Sequence, residues 1–377
     1  MFGAWHLRKT AIAAVMIVIS LLNIAGCNQH EPQKEQSSPS ESAEKQPHEE
    51  QKLIAFAHKS INSYFYIIIQ ESIKRAVQER NWKFESSVAD YDPVKQNNQF
   101  INFIAKKPSA IISNSINSES LTDAIIKANE DGIPVGIIDT PTTGGNVAVT
   151  VAFDNYLAGK MAAKEIVKRL IKKYGTAKGT VFNAYGTETS LAWRLRKEGF
   201  EDEIRKYSGI RYIARLGEGD YGKVRDALLK VIEEYRHIDA VHCSSDQPGR
   251  GMTEALQKNG MWKKVGDPGH VIYVTIDGEP VSVQNIGNGY YDASIVQDAI
   301  SYGTIAVELL EKYTFHGQQI KPGVYKNDKY LWKEAQIKDS PSGPYVVIPP
   351  YIMDESNYFD SRHWANIAID TWGFEYR

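Results

Sequence analysis

Short apolar runs alternate with longer segments of helical periodicity from residue 53 to residue 276. The apolar runs lie at 53–57, 84–89, 110–112, 134–138, 179–183, 210–215, 240–243 and 271–276. The helical segments lie at 66–79, 94–105, 121–130, 157–173, 192–205, 224–235 and 249–258. Such alternation is typical of βαβ units, in which a helix connects two parallel strands. The pattern therefore predicts an α/β fold built on doubly wound parallel sheets.

The alternation starts afresh after Asp154, which predicts two lobes. The body of the chain has about 325 residues, a length beyond which a single hydrophobic core stops growing. In open parallel sheets a ligand binds beyond the carboxyl ends of the strands. Two facing lobes would therefore form a cleft lined by the loops that follow strands, and we expect the functional residues in those loops.

The first 27 residues have the organisation of a secretory signal. Arg8 and Lys9 precede an apolar run at 11–22 that is too short to cross a membrane as a helix. The run leads to Ile-Ala-Gly-Cys at 24–27, which resembles the lipobox of bacterial lipoproteins. That resemblance implies lipidation of Cys27, and a plain signal peptide with an incidental cysteine is the alternative. Residues 28–51 lack Val, Ile, Leu, Met and aromatic residues, so we expect a disordered tether there.

Composition and motif content exclude several function classes. The formal net charge is −2, so no basic excess indicates a nucleic-acid partner. Cys243 is the one cysteine of the body and lies within an apolar run, which predicts a buried thiol and no intramolecular disulfide. The sequence has no P-loop, no G-x-S-x-G and no H-E-x-x-H, and its nine histidines lack metal-ligand spacing. We therefore expect neither an enzyme nor a cofactor or metal.

One glycine pattern leaves a rival hypothesis open. Residues 217–222 form G-x-G-x-x-G between a predicted strand and a predicted helix, with Asp239 about 20 residues beyond. This is the fingerprint of a dinucleotide-binding enzyme. However, Asp220 lies inside the pattern and would place a negative charge where the pyrophosphate must bind.

Eight short motifs lie where predicted strands end or where the lobes would connect. They are the aromatic loop 58–66, the Ile-Pro-Val strand 133–139, the segment 153–159, the R-x-R-x-x-G-F helix 194–200, Asp220–Tyr221, Ser245–Asp246, Ile276–Asp277–Gly278 and Gln297. In content and order they resemble the periplasmic sugar-binding proteins of the ribose, arabinose and galactose type, which supply ABC transporters. The resemblance covers residues 53 to about 315.

The resemblance implies a type I periplasmic binding protein fold, with two doubly wound lobes joined by a multi-strand hinge. It implies an N-terminal lobe at 52–153 and 288–320, a C-terminal lobe at 154–287, and a crossing strand with a docked tail at 321–377. The ligand-binding residues that it implies are Lys59, Tyr64, Phe65, Tyr66, Asp139, Arg196, Tyr221, Ser245, Asp246, Asp277 and Gln297.

These residue types suit an uncharged polyol independently of the resemblance. A sugar has hydroxyl groups around its rim and C–H faces above and below the ring. It therefore needs acceptors such as Asp139 and Asp277, a donor fork such as Arg196, and flat aromatic side chains. Lys59 would add a mobile positive charge.

The candidate residues also have structural interpretations. The three aspartates could cap the helices that follow them, and Arg196 could be an exposed helix charge. The aromatic residues at 64–66 could belong to the core. Gln297 and Tyr221 could serve only in packing between the lobes.

Three departures from the ribose-type pattern leave the identity of the sugar open. Thr140 stands where ribose-type proteins have an arginine, Ser245 replaces an asparagine, and Trp193 is a large addition beside Arg194.

The resemblance further implies location and partners. It implies a monomer anchored by lipid at the outer face of the bacterial membrane, which delivers its sugar to an ABC permease. A sensing role, with the ectodomain of a histidine kinase or a chemoreceptor as partner, is the alternative. The aromatic-rich end, including Tyr358 and Trp364, resembles the ending of many bacterial sugar-binding lipoproteins and predicts docking on a lobe.

Overall fold

The computed structural model describes residues 51–376 of the chain. The predicted signal peptide, the lipidation site Cys27 and residues 28–50 of the predicted tether lie outside the described residues. Within them, strands and helices alternate as the sequence predicts, and the strands form two sheets.

The first sheet contains β1 (Leu53–His58), β2 (Lys83–Val88), β3 (Ala110–Ser113), β4 (Val135–Ile138), β5 (Val149–Phe153), β11 (Gly323–Lys326), β12 (Glu334–Ser340) and β13 (Gly343–Ile348). Their order is β11-β12-β13-β5-β4-β3-β1-β2. The five N-terminal strands are parallel, β13 pairs parallel with β5, and β11 and β12 pair antiparallel. Strands β3, β4 and β5 are buried along their whole length, as expected for a sheet covered on both faces.

The second sheet contains β6 (Gly179–Tyr185), β7 (Ile210–Leu216), β8 (Ala240–Cys243), β9 (Ile272–Asp277), β10 (Ala293–Val296) and β14 (Tyr351–Asp354). Their order is β14-β10-β9-β8-β6-β7, with β14 antiparallel and the others parallel. Cys243, on β8, is buried and free, as predicted. The predicted fold class is confirmed.

The helices connect these strands. They are α1 (Tyr64–Gln78), α2 (Pro93–Ala105), α3 (Thr122–Glu130), α4 (Asn155–Tyr174), α5 (Leu191–Ile204), α6 (Tyr221–Tyr235), α7 (Asp246–Lys258), α8 (Pro280–Gly287), α9 (Ala299–Lys312) and the short α10 (Trp364–Asn366). Local chemistry sets several of their ends. Asp92 accepts hydrogen bonds from the first turn of α2, and Gly175 ends α4 at φ +73°.

We call the elements around the first sheet the first lobe and those around the second sheet the second lobe. In the described residues the chain passes between the lobes after β5, after β10 and after β13. The sequence predicted residues 288–320 in the N-terminal lobe. Strand β10 instead pairs with β9 of the second sheet, so the prediction is wrong for residues 293–296. The return to the first lobe comes with α9, which packs against α1, β4 and β5.

The predicted C-terminal unit 321–377 is also divided between the lobes. Strands β11, β12 and β13 extend the first sheet, because β13 pairs with β5, whereas β14 pairs with β10 of the second sheet. Among the helices of residues 51–376, none is long and apolar enough to cross a membrane.

Candidate ligand-binding site

A cavity lies where the carboxyl ends of strands from both sheets meet, as the fold predicts. In this arrangement of the lobes its volume is small, about 30 Å³. The predicted site residues that line it are Phe65, Tyr66, Asp139, Arg196, Ser245, Asp277 and Gln297. Further lining residues are Asn62, Ser63, Tyr91, Trp193, Gly219, Gln247 and Pro248.

On the side of the first lobe, a buried ion pair lies at the ends of β1 and β4. Lys59 Nζ donates a hydrogen bond to Asp139 Oδ2 at 2.6 Å and lies 4.7 Å from the centre of the Tyr66 ring. Both charged residues are buried, at 5% exposure each. Asp139 has φ +63°, a left-handed conformation that side chains seldom adopt, and Thr140 Oγ1 donates to its carboxylate at 3.1 Å. The pair is therefore held by the loops that follow the strands.

On the side of the second lobe, a second ion pair mirrors the first. Arg196 Nη1, from α5, donates to Asp277 Oδ1 at 3.2 Å, and Ser245 Oγ donates to Asp277 Oδ2 at 2.6 Å. Asp277 is the last residue of β9 and has φ +123°. Each lobe thus contributes an aspartate with an unusual backbone conformation and a buried cation beside it.

Gln297, the residue after β10, joins the two ion pairs. Its Nε2 donates to Asp139 Oδ1 at 3.3 Å, and its Oε1 accepts from Arg196 Nη2. A continuous hydrogen-bonded chain results: Lys59, Asp139, Gln297, Arg196, Asp277 and Ser245. All six residues are among those that the sequence predicts for the site.

Arg196 is buried, so the interpretation of an exposed helix charge is wrong. Only 3% of the residue is exposed, and its guanidinium also donates to Asn155 Oδ1 at 2.7 Å and to the carbonyl of Ser244 at 2.6 Å. Glycines allow α5 to approach α4 closely here. A Cβ atom at Gly159 would overlap the carbonyl of Arg196, and one at Gly199 would overlap the carbonyl of Tyr156. This contact places Arg196 and Asn155 side by side.

Burial shifts the pKa values of several site groups. It raises the pKa of the Asp277 carboxyl, although the Arg196 charge opposes the rise. Burial also raises the pKa of Tyr66 well above its usual value, and the negative charge of Asp139 adds to this effect. Tyr66 is therefore a neutral hydroxyl at physiological pH, able to donate and accept hydrogen bonds.

Four predicted site residues lie outside the lining of the cavity, and one of them is Lys59, which is connected to the lining through its ion pair with Asp139. Tyr64 Oη donates to the carbonyl of Phe374 at 2.9 Å, so this ring faces the C-terminal tail. Tyr221, at the start of α6, donates to the carboxylate of Glu254 on α7. Asp246 is buried behind the cavity, where it accepts from Glu279 N at 2.7 Å and Ser282 Oγ at 2.8 Å. Its carboxylate thus serves the start of α8.

Trp193 lines the cavity, although none of the eight motifs contains it. It lies in the first turn of α5, and its indole fits between two glycine-bearing loops of the second lobe. A Cβ atom added at Gly186 or Gly219 would overlap the ring. Trp193 therefore supplies the aromatic surface in the second lobe that the sequence assigned to Tyr221. In the sequence, the glycines at 186 and 219 were the signal that could have indicated this position, because they leave room for a large ring.

In the glycine pattern at 217–222, on which the dinucleotide hypothesis rests, a side chain already caps the N-terminus of the following helix. Asp220 Oδ1 accepts the Lys223 N–H of α6 at 2.8 Å, which occupies the N-terminal donor that a phosphate would need. Asp239, the acidic residue that would bind a ribose, instead accepts from Thr180 N at 2.7 Å and from Tyr174. Both acidic groups have structural roles.

The fold and the cavity are those of a two-lobed α/β protein with a polar cavity where its lobes meet. A family model described as periplasmic binding protein domain matches residues 54–318. The chain belongs to this family, and the resemblance drawn from its motifs is confirmed.

Individual relatives agree with this assignment. The ribose import binding protein RbsB of Bacillus subtilis (strain 168) is 24% identical over 313 residues, which cover 83% of this chain and 95% of that protein. The D-apiose import binding protein of Paraburkholderia graminis is 26% identical over 237 residues, covering 62% of this chain and 72% of that protein. A carbohydrate transporter solute binding protein from Agrobacterium radiobacter, in complex with D-arabinose, has a TM-score of 0.71 at 18% identity. That comparison covers 85% of this chain and 99% of the other, and it shows a shared fold.

Proposed function

We propose that this protein is an extracytoplasmic receptor that binds a sugar or a related small polyol between its lobes and delivers it to an ABC permease. The observation that carries the proposal is the hydrogen-bonded chain from Lys59 to Ser245, which crosses from one lobe to the other at the cavity. All six residues of this chain belong to the ligand set that the resemblance implies.

The electrostatics of the cavity favour an uncharged ligand with several hydroxyl groups. Each cation is already paired with a carboxylate, Lys59 with Asp139 and Arg196 with Asp277. Among the described residues that line the cavity, no charged side chain therefore lacks a counter-charge that a charged ligand would supply. Hydroxyl groups can both donate to these carboxylates and accept from the cations. Hydrogen bonds to charged groups contribute about 1.5–3 kcal/mol each, so a few of them can hold a monosaccharide.

Aromatic side chains from both lobes suit the C–H faces of a sugar ring. Phe65 and Tyr66 line the cavity from the first lobe and Trp193 from the second. The relatives include a ribose import binding protein and a D-apiose import binding protein, which supports the same ligand class. Thr140, Ser245 and Trp193 differ from the ribose-type pattern, so we expect a sugar other than ribose to bind best.

A thermal-shift panel tests the proposal on purified protein that begins at Gln51. D-Ribose, D-arabinose, D-apiose, D-allose, D-tagatose and myo-inositol are added separately, because ligand that binds only the folded state raises its stability by RT ln(1 + [L]/Kd). At least one of them should raise the Tm, and calorimetry should then show one site per chain. A flat result across the panel, with intact folding, would contradict sugar binding. Loss of uptake of the bound sugar in a deletion strain tests delivery.

We also propose that Cys27 carries the lipid anchor, on the basis of the Ile-Ala-Gly-Cys sequence at 24–27. Two acyl chains are enough for stable membrane attachment. Cys27→Ser should shift the protein from the detergent phase to the aqueous phase in a Triton X-114 partition of whole cells. Cys243→Ser serves as the matched control, because that cysteine is buried in β8. Unchanged partition of the Cys27→Ser protein would refute the anchor.

A further inference from the structure

The C-terminal segment 355–376 brings one fully buried side chain to the rear of the cavity. This segment follows β14 and contains no strand. Trp364, the first residue of α10, is 0% exposed, although it lies on a connection outside both sheets. Such complete burial of the largest side chain type indicates a specific contact.

Trp364 holds the backbone of a cavity carboxylate. Its Nε1–H donates to the carbonyl oxygen of Asp277 at 2.9 Å. Asp277 has φ +123°, a conformation that costs free energy for any residue with a side chain and persists only where its surroundings enforce it. The next residue is tied down as well, since Gly278 N donates to Ser294 Oγ at 3.1 Å. The carbonyl of Asp277 also accepts from Gln297 N at 3.1 Å, so the hydrogen bond from Trp364 is one of two that hold the backbone from which the Asp277 carboxylate projects.

Trp364 also packs against an aromatic residue of the other lobe. The rings of Trp364 and Phe65 meet edge to face, with centroids 5.9 Å apart and planes at 78°. Phe65 lines the cavity at the start of α1, and its N–H donates to Glu279 Oε1 at 3.3 Å. Glu279 lies two residues beyond Asp277 in the second lobe. Because Trp364 donates to Asp277 and packs on Phe65, one indole contacts cavity residues of both lobes.

Contacts elsewhere along the tail fix Trp364 in place. Tyr64 Oη donates to the carbonyl of Phe374 at 2.9 Å, and the guanidinium carbon of Arg75 lies 4.7 Å from the Trp372 ring. Asn366 Nδ2, within α10, donates to the carbonyl of Tyr358 at 3.0 Å. The tail is therefore attached to α1 of the first lobe while its indole contacts β9 of the second.

We propose that Trp364 is a positioning residue for sugar binding. It orients the carboxylate of Asp277 through the backbone carbonyl and supports the Phe65 ring, without itself lining the cavity. This inference depends on the sugar-binding function proposed above and assigns part of that function to the C-terminal tail.

A double-mutant cycle with Trp364→Phe and Asp277→Ala tests the inference, using the panel sugar that stabilises the wild-type protein most. Phenylalanine keeps an aromatic ring but lacks the N–H donor. Loss of one hydrogen bond to a site backbone should weaken affinity about tenfold. In the Asp277→Ala background the same change should have little further effect, because coupled residues are not additive. Phe359→Leu, on the same tail, is the control and should leave affinity unchanged, because Phe359 is 67% exposed.

A second variant separates positioning from folding. Benzothienylalanine at position 364 matches the shape of tryptophan and replaces the N–H with sulfur, so the packing is retained. It should reproduce the loss of affinity while the Tm of the sugar-free protein stays close to that of wild type. Unchanged affinity in this variant, or full additivity in the cycle, would overturn the inference even though the wild-type protein binds sugar. If the wild-type protein binds no sugar in the panel, the proposed function fails and the inference fails with it.

Discussion

The guanidinium of Arg196 makes hydrogen bonds to four residues of the site. The sequence around it, with Arg194 and Lys197 nearby, would equally suit an exposed charge on a helix surface. The partners of Arg196 are Asn155, Ser244, Asp277 and Gln297, and the last of these leads to Asp139 of the first lobe. A single buried cation thus organises both carboxylates that face the cavity. Removing it would leave Asp277 buried without its counter-charge, which is costly.

Arg196→Ala should therefore weaken sugar affinity by about 2–5 kcal/mol, the usual cost of truncating one partner of a buried hydrogen-bonded charge pair. The measurement is calorimetric titration with the best sugar of the panel. Arg194→Ala is the matched control on the same helix, because the Arg194 side chain is 48% exposed and lies 3.9 Å from Glu198. Equal affinity of the two variants would contradict the assignment of Arg196 to the site.

His242, next to this network, makes folding stability depend on pH. Its ring stacks on Phe200 at 4.5 Å, and its Nδ1–H donates to the carbonyl of Val274 at 2.9 Å. Burial, assisted by the positive charge of Arg196, lowers the pKa of His242 from 6.5 to about 3. Between these values the unfolded chain binds more protons than the folded one, so this contribution to stability is present above pH 6.5 and is lost as the pH falls.

His242→Gln should remove that dependence, because glutamine can donate to the same carbonyl and does not titrate. From pH 6.5 to 4.5 the wild-type protein should lose about 2 kcal/mol more unfolding free energy than the variant. Urea unfolding at both pH values measures this difference, and unfolding at pH 7.5 gives the pH-independent cost of the substitution. If both proteins lose the same unfolding free energy between these pH values, burial does not keep the His242 ring uncharged in the folded state.

The sequence predicted the site residues whose positions are set by the ends of strands. Asp139, Asp277, Ser245 and Gln297 all come at or just after strand ends, and the order of strands in a parallel sheet brings such positions together. Residues at helix starts were harder to place. Tyr64 and Phe65 are neighbours on one helical turn, and which of them faces the cavity depends on the tail that packs on Tyr64.

The contact between α4 and α5 shows how two predicted motifs act together. Gly159 belongs to the motif 153–159 and Gly199 to the motif 194–200. Each lies where the backbone of the other helix approaches, at the carbonyls of Arg196 and Tyr156. The glycines of both motifs therefore serve the approach of two helices, which in turn positions Asn155 and Arg196.

Gly199→Ala should push these helices apart, because the added methyl group would overlap the carbonyl of Tyr156. We expect a loss of about 3 kcal/mol in unfolding free energy, typical of overpacking a tight contact, together with weaker sugar binding. Gly323→Ala, where nothing lies within 4 Å of the new methyl group, should be neutral and is the control. Urea unfolding of both variants gives the comparison, and similar midpoints would contradict the role of Gly199.

Elements with strong alternation were predicted well, and elements that depend on distant partners were not. Apart from β5, which the sequence analysis did not predict as a strand, the strands up to β9 and their helices lie close to the predicted bounds. Strand β10 was placed with the wrong lobe, since nothing in its four residues indicates whether it pairs with β9 or returns to the first sheet. The pairing of β13 with β5 joins residues far apart in sequence, and local patterns carry no information about it.

In the molecule as a whole, the two lobes meet through the cavity and through contacts beside it. Gln297 Nε2 donates to Asp139, Phe65 N donates to Glu279, and Leu191 N donates to Ser118 Oγ at 3.2 Å. The alternation of predicted strands and helices, together with the length of the chain, predicted two lobes and a cleft. The motifs predicted which loops line the cleft. The support of the site by the tail could not be predicted, because it depends on how a segment without regular structure folds back on both lobes.

A ligand held by both lobes must favour the arrangement in which they approach each other, since only differential affinity can shift a conformational equilibrium. Asp139 and Arg196 lie on opposite lobes and are linked through Gln297, so a sugar that bonds to both should stabilise closure. Small-angle X-ray scattering of the protein from Gln51 onward should show a smaller radius of gyration when the best panel sugar is added. An Asp139→Ala, Arg196→Ala double variant should show no such change at the same sugar concentration. Full affinity and full compaction in this double variant would remove both residues from the site, and a wild-type protein that binds sugar without compaction would refute ligand-driven closure.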